Sequence, residues 1–375
     1  MDAIWAKIAW QGKVQSLPAA AALAADQFVM THPSPDAGES TSTGKAHLLL
    51  YAATSEPEML EQGFYAAEVE GLCREPAVAD MQVTNHLVDI WAKDFDGLVC
   101  YFYSYTAFAA ALARLRGKRV IATGGGEQLF RAMAPNLRVY VLRVFLFWLS
   151  LLFANSMLAT SSADYHQMRK LAWFRRAAIK LSFHGADAVD SIDRADFSLP
   201  RAEGSMVTIC GMDTLENLRR KGLLRAIDLL AQMKARIPEA RLTVIGRTTC
   251  ANIARDYAEE LGCVDALDLV GYVSEEEKIG LLKLARYYVQ LSDYEGFGIG
   301  ALEALAMGCQ VVHSNVGGLR DTIERYGIVA RLDGEIELDP LIPYDISDWN
   351  GFERHMAQFT VSRRANTILK ALQLA

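Results

Sequence analysis

The chain of 375 residues contains only six cysteines, and no two of them form a C-x-x-C pair. Scattered cysteines without this spacing argue against both a disulfide framework and a cysteine-based zinc site. Most of them stand beside apolar residues, so we expect reduced thiols in the core of a cytosolic protein. The cysteines are Cys73, Cys100, Cys210, Cys250, Cys263 and Cys309.

The sequence also lacks an apolar run of the ~20 residues that cross a bilayer. Its most apolar stretch, residues 139–154, is shorter than that and is interrupted by Arg143. We interpret it first as a buried crossover helix and second as a helix that dips into a membrane surface. The first residues include Asp2, Lys7 and Lys13 without a clear apolar core. No secretory signal is therefore visible, and we expect a cytoplasmic location.

Acidic residues are nearly absent from residues 114–180, although the net charge of the chain is −7. This block holds twelve Lys and Arg against Glu127 and Asp164, a local charge of +10 that leaves −17 for the remainder. The overall charge argues against a general nucleic-acid binder. The block predicts a face for anionic lipid or for a pyrophosphate-bearing substrate, and a solvated helix surface explains it equally well.

Two motifs that bind phosphate or metal elsewhere are not matched. Residues 38–45 contain a Gly-Lys pair, but the spacing is wrong and Ala46 stands where a P-loop has Ser or Thr. Asp94 and Asp96 form an Asp-x-Asp pattern, but they precede a predicted strand of the first half of the chain. We therefore predict no metal and no cofactor.

The chain instead shows strands that alternate with helices, which indicates α/β domains with parallel sheets and right-handed crossovers. Its length is sufficient for two domains, each with its own core. Residues 193–204, which include Pro200, form the predicted hinge. Strands are predicted at 48–51, 77–83, 98–102, 119–122, 157–160, 206–210, 241–245, 267–270 and 287–291, and helices at 56–74, 106–115, 222–236, 251–261, 274–284, 301–307 and within 349–375.

The most informative segment is residues 294–308, which predicts a glycine loop between a strand and a helix. Glu295 and Glu303 stand eight positions apart with glycines between them. Glycines let the backbone approach an anion, and the N-terminus of the following helix supplies free N–H groups. Carboxylates beside a phosphate would repel it, so they more plausibly accept hydrogen bonds from hydroxyls. Phosphate together with hydroxyls describes a sugar nucleotide.

This segment resembles the Glu-x7-Glu signature of the retaining glycosyltransferases of family 4. The residues that carry the resemblance are Glu295, Gly296, Phe297, Gly298, Leu302, Glu303, Ala304, Ala306 and Gly308. Val311-Val312 and the run from Val316 to Leu319 are similar to the strand and Gly-Gly loop that follow in that family. The alternative is an ordinary βα unit with solvated glutamates.

The resemblance implies the GT-B fold, with two doubly wound, Rossmann-like domains that face a cleft. Residues 1–195 are then the acceptor-binding domain and residues 196–348 the nucleotide-sugar-binding domain. Residues 349–375 are expected to form helices that cross back to the first domain.

The resemblance also implies roles for individual residues. Lys221, with Arg220 or Arg247, holds the diphosphate of the sugar donor, Glu303 accepts hydrogen bonds from the ribose, and Glu295 is the catalytic residue that orients the donor sugar. We expect Arg220 and Lys221, the basic pair, to stand at the start of a helix. The remaining predicted contacts are the loop Gly296, Phe297, Gly298 and Ile299 on the donor side and Gly124, Gly125 and Gly126 on the acceptor side or at the phosphates.

The chain departs from the family pattern at two positions. Met212 stands where an Arg is expected, and Thr123 stands where a His is expected near a strand end. His184 belongs to a stretch similar to the short Gly-x-Asp loop of the family, where a lone histidine is more often structural.

We therefore predict a retaining hexosyltransferase that moves a sugar from a nucleoside diphosphate to a hydroxyl of a glycan or lipid-linked acceptor. The acceptor belongs to cell-envelope polysaccharide or lipopolysaccharide biosynthesis, and peripheral contact with an anionic inner membrane face is a further expectation. Two alternatives stay open. One is a sugar-nucleotide epimerase or phosphorylase on the same fold, and the other is a non-catalytic GT-B subunit.

Overall fold

The computed structural model describes residues 31–33, 44–54, 60, 63–103, 106–330 and 346–374. These residues contain two β-sheets with helices packed against them. Residues 34–43 and the start of the helix predicted at 56–74 lie outside the described residues.

The first sheet has seven strands in the order β1-β3-β2-β4-β5-β6-β7. All neighbouring strands are parallel except β1, which is antiparallel to β3. The central strand β4 is buried throughout, which explains its nearly continuous apolar sequence. The elements are β1 (Thr31–Pro33), β2 (Ala46–Ala52), α1 (Gly63–Cys73), β3 (Val78–Thr84), α2 (Leu87–Ala92), β4 (Gly97–Tyr101), α3 (Thr106–Leu115), β5 (Arg119–Gly124), α4 (Leu137–Phe153), β6 (Ser156–Ala159), α5 (Ser162–Leu171), β7 (Ile179–Leu181) and α6 (Asp187–Asp190).

The second sheet has six parallel strands in the order β10-β9-β8-β11-β12-β13. Its elements are β8 (Ser205–Ile209), α7 (Leu215–Arg220), α8 (Leu223–Arg236), β9 (Arg241–Ile245), α9 (Ala251–Glu260), β10 (Leu267–Gly271), α10 (Glu275–Leu284), β11 (Tyr287–Gln290), α11 (Ile299–Ala306), β12 (Gln310–His313), α12 (Leu319–Thr322), β13 (Ile328–Val329), α13 (Trp349–Met356) and α14 (Val361–Leu372). Short 3-10 helices are Glu127–Leu129, Arg131–Met133, Arg176–Ala178, Arg194–Ser198, Val264–Ala266, Glu324–Tyr326 and Ala357–Phe359.

The strand order of each sheet reverses at one point, between β2 and β4 in the first sheet and between β8 and β11 in the second. In open α/β sheets, ligands bind in the crevice outside the carboxyl ends of the strands at such a point. The predicted α/β class with two doubly wound sheets is confirmed.

One local prediction is wrong, because the basic pair does not open a helix. Arg220 is the last residue of α7, Lys221 follows as its C-cap, and α8 begins only after Gly222. The Thr214 hydroxyl caps α7 by accepting a hydrogen bond from the Asn217 N–H at 3.1 Å. A helix of six residues is too short to show a clear hydrophobic period, which is why the sequence did not reveal it.

The last two helices pack against different sheets. Phe352 and Met356 of α13 belong to the core of the second sheet. Ile368 and Leu372 of α14 instead join the core cluster around β2, where α14 contacts α1 and β5. The domain bounds 1–195, 196–348 and 349–375 remain a prediction. In the described part of the chain, no helix combines the length and the apolar character needed to cross a membrane.

Candidate functional site

A cavity of about 310 Å³ lies where the carboxyl ends of both sheets meet. Phe102 follows β4, Gly124 ends β5, and Ile209 and Gln290 end β8 and β11, so the lining comes from both switch points. The first sheet contributes Phe102, Gly124, Gly125, Glu127, Thr160 and His184, and the second contributes Ile209, Arg220, Lys221, Tyr288, Gln290, Glu295, Gly296, Phe297, Gly298, Ile299 and Gly300.

Most of the residues that the sequence singles out line this cavity. They are Glu295, Arg220, Lys221, Gly296, Phe297, Gly298, Ile299, Gly124 and Gly125. Arg247, Glu303 and Gly126 are not part of its lining. The structure therefore brings together the glycine loop, the basic pair and the first-domain glycines, although they are far apart in the sequence.

Lys221 and Glu295 form an ion pair in the cavity wall. The Lys221 Nζ lies 2.7 Å from the Glu295 Oε2, and both side chains are largely buried. The Gln290 amide also donates to this oxygen at 3.2 Å, and Gln290 in turn accepts a hydrogen bond from the Tyr288 hydroxyl at 2.9 Å. This network fixes a cation and a carboxylate side by side, so an anion and a hydroxyl could bind next to each other.

Arg220 lines the same cavity and is held by two hydrogen bonds. Its guanidinium donates to the Asn217 Oδ1 at 2.7 Å and to the Tyr294 carbonyl at 3.3 Å. Met212 does not face the cavity, since its side chain is fully buried in the core of the second sheet. Arg220 is therefore the guanidinium that stands beside Lys221.

The glycine loop leads directly into α11. Gly298 has a φ of 89° and is the N-cap of this helix, a left-handed conformation that favours glycine. Ile299 and Gly300 begin the helix and line the cavity. The first N–H groups of a helix have no intrahelical partner, so this end of α11 can bind an anion.

Glu303 lies one turn further along α11 and pairs with a lysine of α10. The Lys278 Nζ is 2.9 Å from the Glu303 Oε1 and also lies 2.6 Å from Glu275. Burial raises the pKa of Glu303, and the Lys278 ammonium opposes this effect. A hydroxyl that approached Glu303 would share its carboxylate with Lys278.

The other two predicted residues outside the lining have local partners. The Arg247 Nε lies 3.9 Å from the Asp213 carboxylate at the exposed edge of the site. The Gly126 N–H donates to the Asp164 Oδ2 at 2.9 Å, directly behind the lining residue Gly125.

The first-domain wall contains features that the sequence did not indicate. Phe102 has a φ of 69°, a left-handed conformation that costs of order 1–3 kcal/mol for a residue other than glycine. Its N–H donates to the Thr123 carbonyl at 2.6 Å. The His184 ring lies 5.4 Å from the Phe297 ring, so it joins the two halves of the wall. Burial lowers the pKa of His184, which favours the neutral imidazole.

A buried ionic network lies beneath this wall. Arg364 of α14 donates to both oxygens of Glu68 at 3.0 and 3.3 Å and to the Thr123 hydroxyl at 2.6 Å. The His184 Nδ1 lies 3.7 Å from the same carboxylate. Burial would raise the pKa of Glu68, but the charge of Arg364 and the hydrogen bonds from His184 and Arg364 outweigh it and lower the pKa to about 2.

Two hydrogen bonds join the first sheet's elements to the second beside the cavity. The Tyr294 hydroxyl donates to the Asp164 Oδ1 at 2.6 Å, and the Ser162 N–H donates to the Asp321 Oδ2 at 2.7 Å. Burial raises the pKa of Asp164 to about 6, against the opposing hydrogen bonds from Tyr294 and Gly126. Tyr294 directly precedes Glu295, so this contact helps to place the glutamate.

Sequence reasoning did not assign Phe102, Thr160, His184, Tyr288 or Gln290 to the site. Phe102, Thr160 and Gln290 stand at or just after a strand end, which is the signal that could have indicated them. Tyr288 lies within β11 and His184 three residues after β7, so no such signal marked them. In the described residues, no group of three or more His, Cys, Asp or Glu is placed to hold a metal ion.

We expect Gly222→Ala to destabilise the site. Gly222 has a φ of 74°, and a Cβ there would lie 1.9 Å from the Leu291 carbonyl oxygen. The strain of the left-handed conformation alone costs about 1–3 kcal/mol, and the clash displaces the neighbouring Lys221. Gly262→Ala is the matched control, since Gly262 has a φ of 68° with nothing within 4 Å of the added atom. Thermal unfolding that is equal in the two variants would contradict the role of the Leu291 contact.

Comparison with known proteins identifies the second half of the chain. Residues 215–332 match the sequence profile of the family described as glycosyl transferases group 1. This segment, about a third of the chain, is similar to group 1 glycosyltransferases. It contains every cavity residue of the second sheet except Ile209. The predicted glycosyltransferase resemblance is confirmed at this level, and its assignment to family 4 stays a prediction.

Curated relatives are glycosyltransferases as well. The GDP-mannose:cellobiosyl-diphosphopolyprenol alpha-mannosyltransferase of Xanthomonas campestris is 27% identical over 218 residues, which cover 58% of this chain and 54% of that protein. Glycogen synthase of Mycobacterium tuberculosis is 29% identical over 170 residues, which cover 45% of this chain and 40% of that enzyme. The chain thus spans about half the length of the curated relatives it matches.

A solved structure extends the likeness across both sheets. Anabaena HepE, solved in complex with UDP-glucose, aligns with a TM-score of 0.66 and 16% identity over 88% of this chain and 99% of that one. At this identity the match shows the fold alone. The fold is GT-B, as predicted.

Proposed function

We propose that this protein is a retaining glycosyltransferase that transfers a sugar from a nucleoside diphosphate to a hydroxyl of a glycan or lipid-linked acceptor. The observation that carries the proposal is the Lys221–Glu295 pair at 2.7 Å beside the N-terminus of α11. It combines groups suited to a diphosphate with a carboxylate suited to sugar hydroxyls in one cavity between two domains. The match of residues 215–332 to group 1 glycosyltransferases and the sugar nucleotides in the names of similar proteins support it.

In the proposed reaction, the diphosphate replaces Glu295 as the partner of Lys221. The N–H groups at the start of α11 and the Arg220 guanidinium bind the same anion. Glu295, released from its ion pair, accepts hydrogen bonds from the donor sugar, and Glu303 accepts hydrogen bonds from the ribose in competition with Lys278. We propose no metal and no cofactor in this arrangement.

The chemical step needs no enzyme nucleophile. The oxygen of the acceptor hydroxyl bonds to the anomeric carbon on the face from which the diphosphate departs, and the anomeric C–O bond to the diphosphate breaks. The proton of the hydroxyl passes to the departing phosphate oxygen. Configuration is retained because the new bond forms on the face that the diphosphate leaves. Lys221 and Arg220 stabilise the charge that develops on the diphosphate, which is how an active site lowers such a barrier.

We further propose an acceptor of the cell envelope, presented at the cytoplasmic face of an anionic membrane. The supporting observations are the name of the Xanthomonas relative, which contains a diphosphopolyprenol, and the basic block of residues 114–180, which also contains the cavity residues Gly124 and Gly125. Base, sugar and linkage of the substrates are not assigned.

The experiment follows slow hydrolysis of sugar nucleotides by the purified chain, which requires no acceptor. UDP and GDP are first tested by thermal shift, because a ligand at about 100 times its Kd adds ~2.7 kcal/mol to the folded state. The UDP- or GDP-sugars of the stabilising nucleotide are then incubated with the protein, and proton NMR records which anomer is released before mutarotation. We expect an α-linked donor to release the α-anomer first.

Three outcomes would contradict the proposal. Initial release of the β-anomer would indicate inversion, and interconversion of the intact sugar nucleotide would indicate an epimerase. Stabilisation by neither nucleotide, together with no turnover of any donor, would favour a non-catalytic subunit.

A further inference from the structure

Helix α4 is apolar on two opposite sides. Its sequence contains only two charged residues, Arg138 and Arg143. Phe147 and Leu151 face the core of the first sheet, and Val144 is also buried. A helix that is hydrophobic all round is normally buried on every side.

The outer side of α4 is instead exposed. Five large apolar residues recur at spacings of four, four, three and four positions and therefore lie on one face of the helix. Their side chains are 39% to 62% exposed. We call this face the apolar stripe, and it consists of Leu137, Val141, Phe145, Trp148 and Leu152.

An aromatic pair extends the stripe beyond the end of the helix. Trp173 and Phe174 follow Ala172, the C-cap of α5, and are 70% and 46% exposed. The Trp148 indole donates to the Leu171 carbonyl at 3.1 Å, and Arg175 donates to the Ala154 carbonyl at 2.9 Å. These bonds place the aromatic pair against the end of α4. Exposed apolar surface of this extent marks a site of interaction.

The surface around the stripe is cationic. Arg138, Arg169, Lys170, Arg176 and Lys180 are exposed on the segments that carry or flank the stripe and the aromatic pair. The two acids of residues 114–180 do not oppose them. Glu127 lines the cavity and Asp164 is fully buried behind it. Between Arg114 and Lys180, no carboxylate is therefore fully exposed at the surface.

We propose that the apolar stripe and the aromatic pair insert into the headgroup region of an anionic bilayer, with α4 parallel to the membrane plane. Apolar side chains with a Lys and Arg rim are the combination that binds such a membrane from one side. Aromatic rings are also favoured at the boundary between headgroups and acyl chains. The strand β5 ends at Gly124 in the cavity, and two short 3-10 helices connect it to α4, so the bound membrane would lie beside the acceptor side of the site.

A second copy of this chain fits the surface less well than a bilayer does. A symmetric dimer through the stripe would place the cationic rims of both copies against each other. Like charges across an interface repel each other, whereas each Lys or Arg near an anionic leaflet is attracted to it. The inference rests on the proposed function, because it places a membrane beside the acceptor side of the site. Its test does not measure sugar transfer, so the membrane inference and the proposed function can each fail alone.

The test is sedimentation of the full chain with vesicles of phosphatidylcholine alone or mixed equally with phosphatidylglycerol. We expect binding to the mixed vesicles, at least tenfold weaker binding to phosphatidylcholine, and weakening by added salt. The double variants Trp173→Ser with Phe174→Ser and Val141→Ser with Phe145→Ser should each lose at least about tenfold in partitioning, because the exposed apolar area shrinks. Arg169→Glu with Lys170→Glu should lose as much through charge.

Matched controls change equally exposed residues elsewhere. Leu261→Ser with Leu284→Ser removes exposed apolar side chains of the second domain, and Arg236→Glu with Arg255→Glu makes the same change in net charge there. Both controls should bind as the wild type does. Equal binding to both kinds of vesicle, or unchanged binding of both stripe variants, would overturn the proposal. So would a wild-type dimer in light scattering that the aromatic variant converts to a monomer without any lipid binding.

Discussion

Lys221→Met is expected to lower kcat/KM for the sugar nucleotide by roughly 10²–10³-fold, the loss typical of removing one group that stabilises developing charge. The Lys221 ammonium is held in the cavity by Glu295 at 2.7 Å, so it is already oriented when the substrate arrives. Methionine preserves the length and much of the apolar stem but leaves the diphosphate without this cation. Both initial rates with the nucleotide sugar and stabilisation by the nucleoside diphosphate should decrease.

The matched control is Lys234→Met, which removes a lysine that pairs with Asp265 on the second domain, outside the cavity. It should leave kcat/KM within about twofold, since exposed ion pairs contribute little. Wild-type kinetics in Lys221→Met would remove Lys221 from the mechanism.

Glu303→Ala should weaken binding of the nucleoside diphosphate without a comparable loss of kcat, because the proposed ribose contact is the same in the ground and transition states.

Arg364→Met is expected to destabilise the protein by about 3–5 kcal/mol, because it leaves the buried Glu68 carboxylate without its main partner. Arg364 also donates to the Thr123 hydroxyl and to the Ser182 carbonyl, so β5 and the segment before His184 lose their support together. The loss corresponds to a lowering of the melting temperature on the order of 10 °C, which differential scanning calorimetry can measure.

Two further variants separate the charge from the packing. Glu68→Leu combined with Arg364→Met should recover much of the stability, since a buried ion pair can often be replaced by apolar side chains at little cost. Arg241→Met breaks the exposed Arg241–Asp268 pair and should cost no more than about 1 kcal/mol. If Arg364→Met melted at the temperature of Arg241→Met, the network would carry no stability.

The same network predicts a dependence of stability on acid. The pKa of Glu68 is about 2 in the folded protein against 4.5 for the free side chain. Its contribution to the free energy of unfolding is therefore present above pH 4.5 and is lost as the pH falls towards 2. In the double variant this part of the acid sensitivity should disappear.

Both positions that depart from the family pattern lie outside the cavity lining. Met212 lies in the core, and Arg220 stands in the wall beside Lys221. Thr123 is buried and accepts a hydrogen bond from Arg364, and the histidine that reaches the wall is His184. We propose that Arg220 takes the role of the missing arginine, and stabilisation of Arg220→Met by the nucleoside diphosphate to the same extent as the wild type would contradict this.

The sequence by itself determined the features that neighbouring residues encode. Strand β9 and helix α3 occur at the predicted residues, because strands favour β-branched and apolar residues and helices need good helix formers. The loop with Gly298 between β11 and α11 could also be predicted from its local sequence. A strand, a glycine loop and a helix in succession fix a local geometry without help from the remainder of the chain.

Only the tertiary structure decided which distant residues meet. Lys221 pairs with Glu295, Lys278 with Glu303 and Tyr294 with Asp164 because the crossovers carry separate strand ends to one cavity. The exposure of one side of α4 was also decided by the tertiary structure, since the composition of the helix alone favoured a buried position. Hydrophobic periodicity shows which face of a helix is apolar, but the packing of the neighbouring elements decides whether that face is covered.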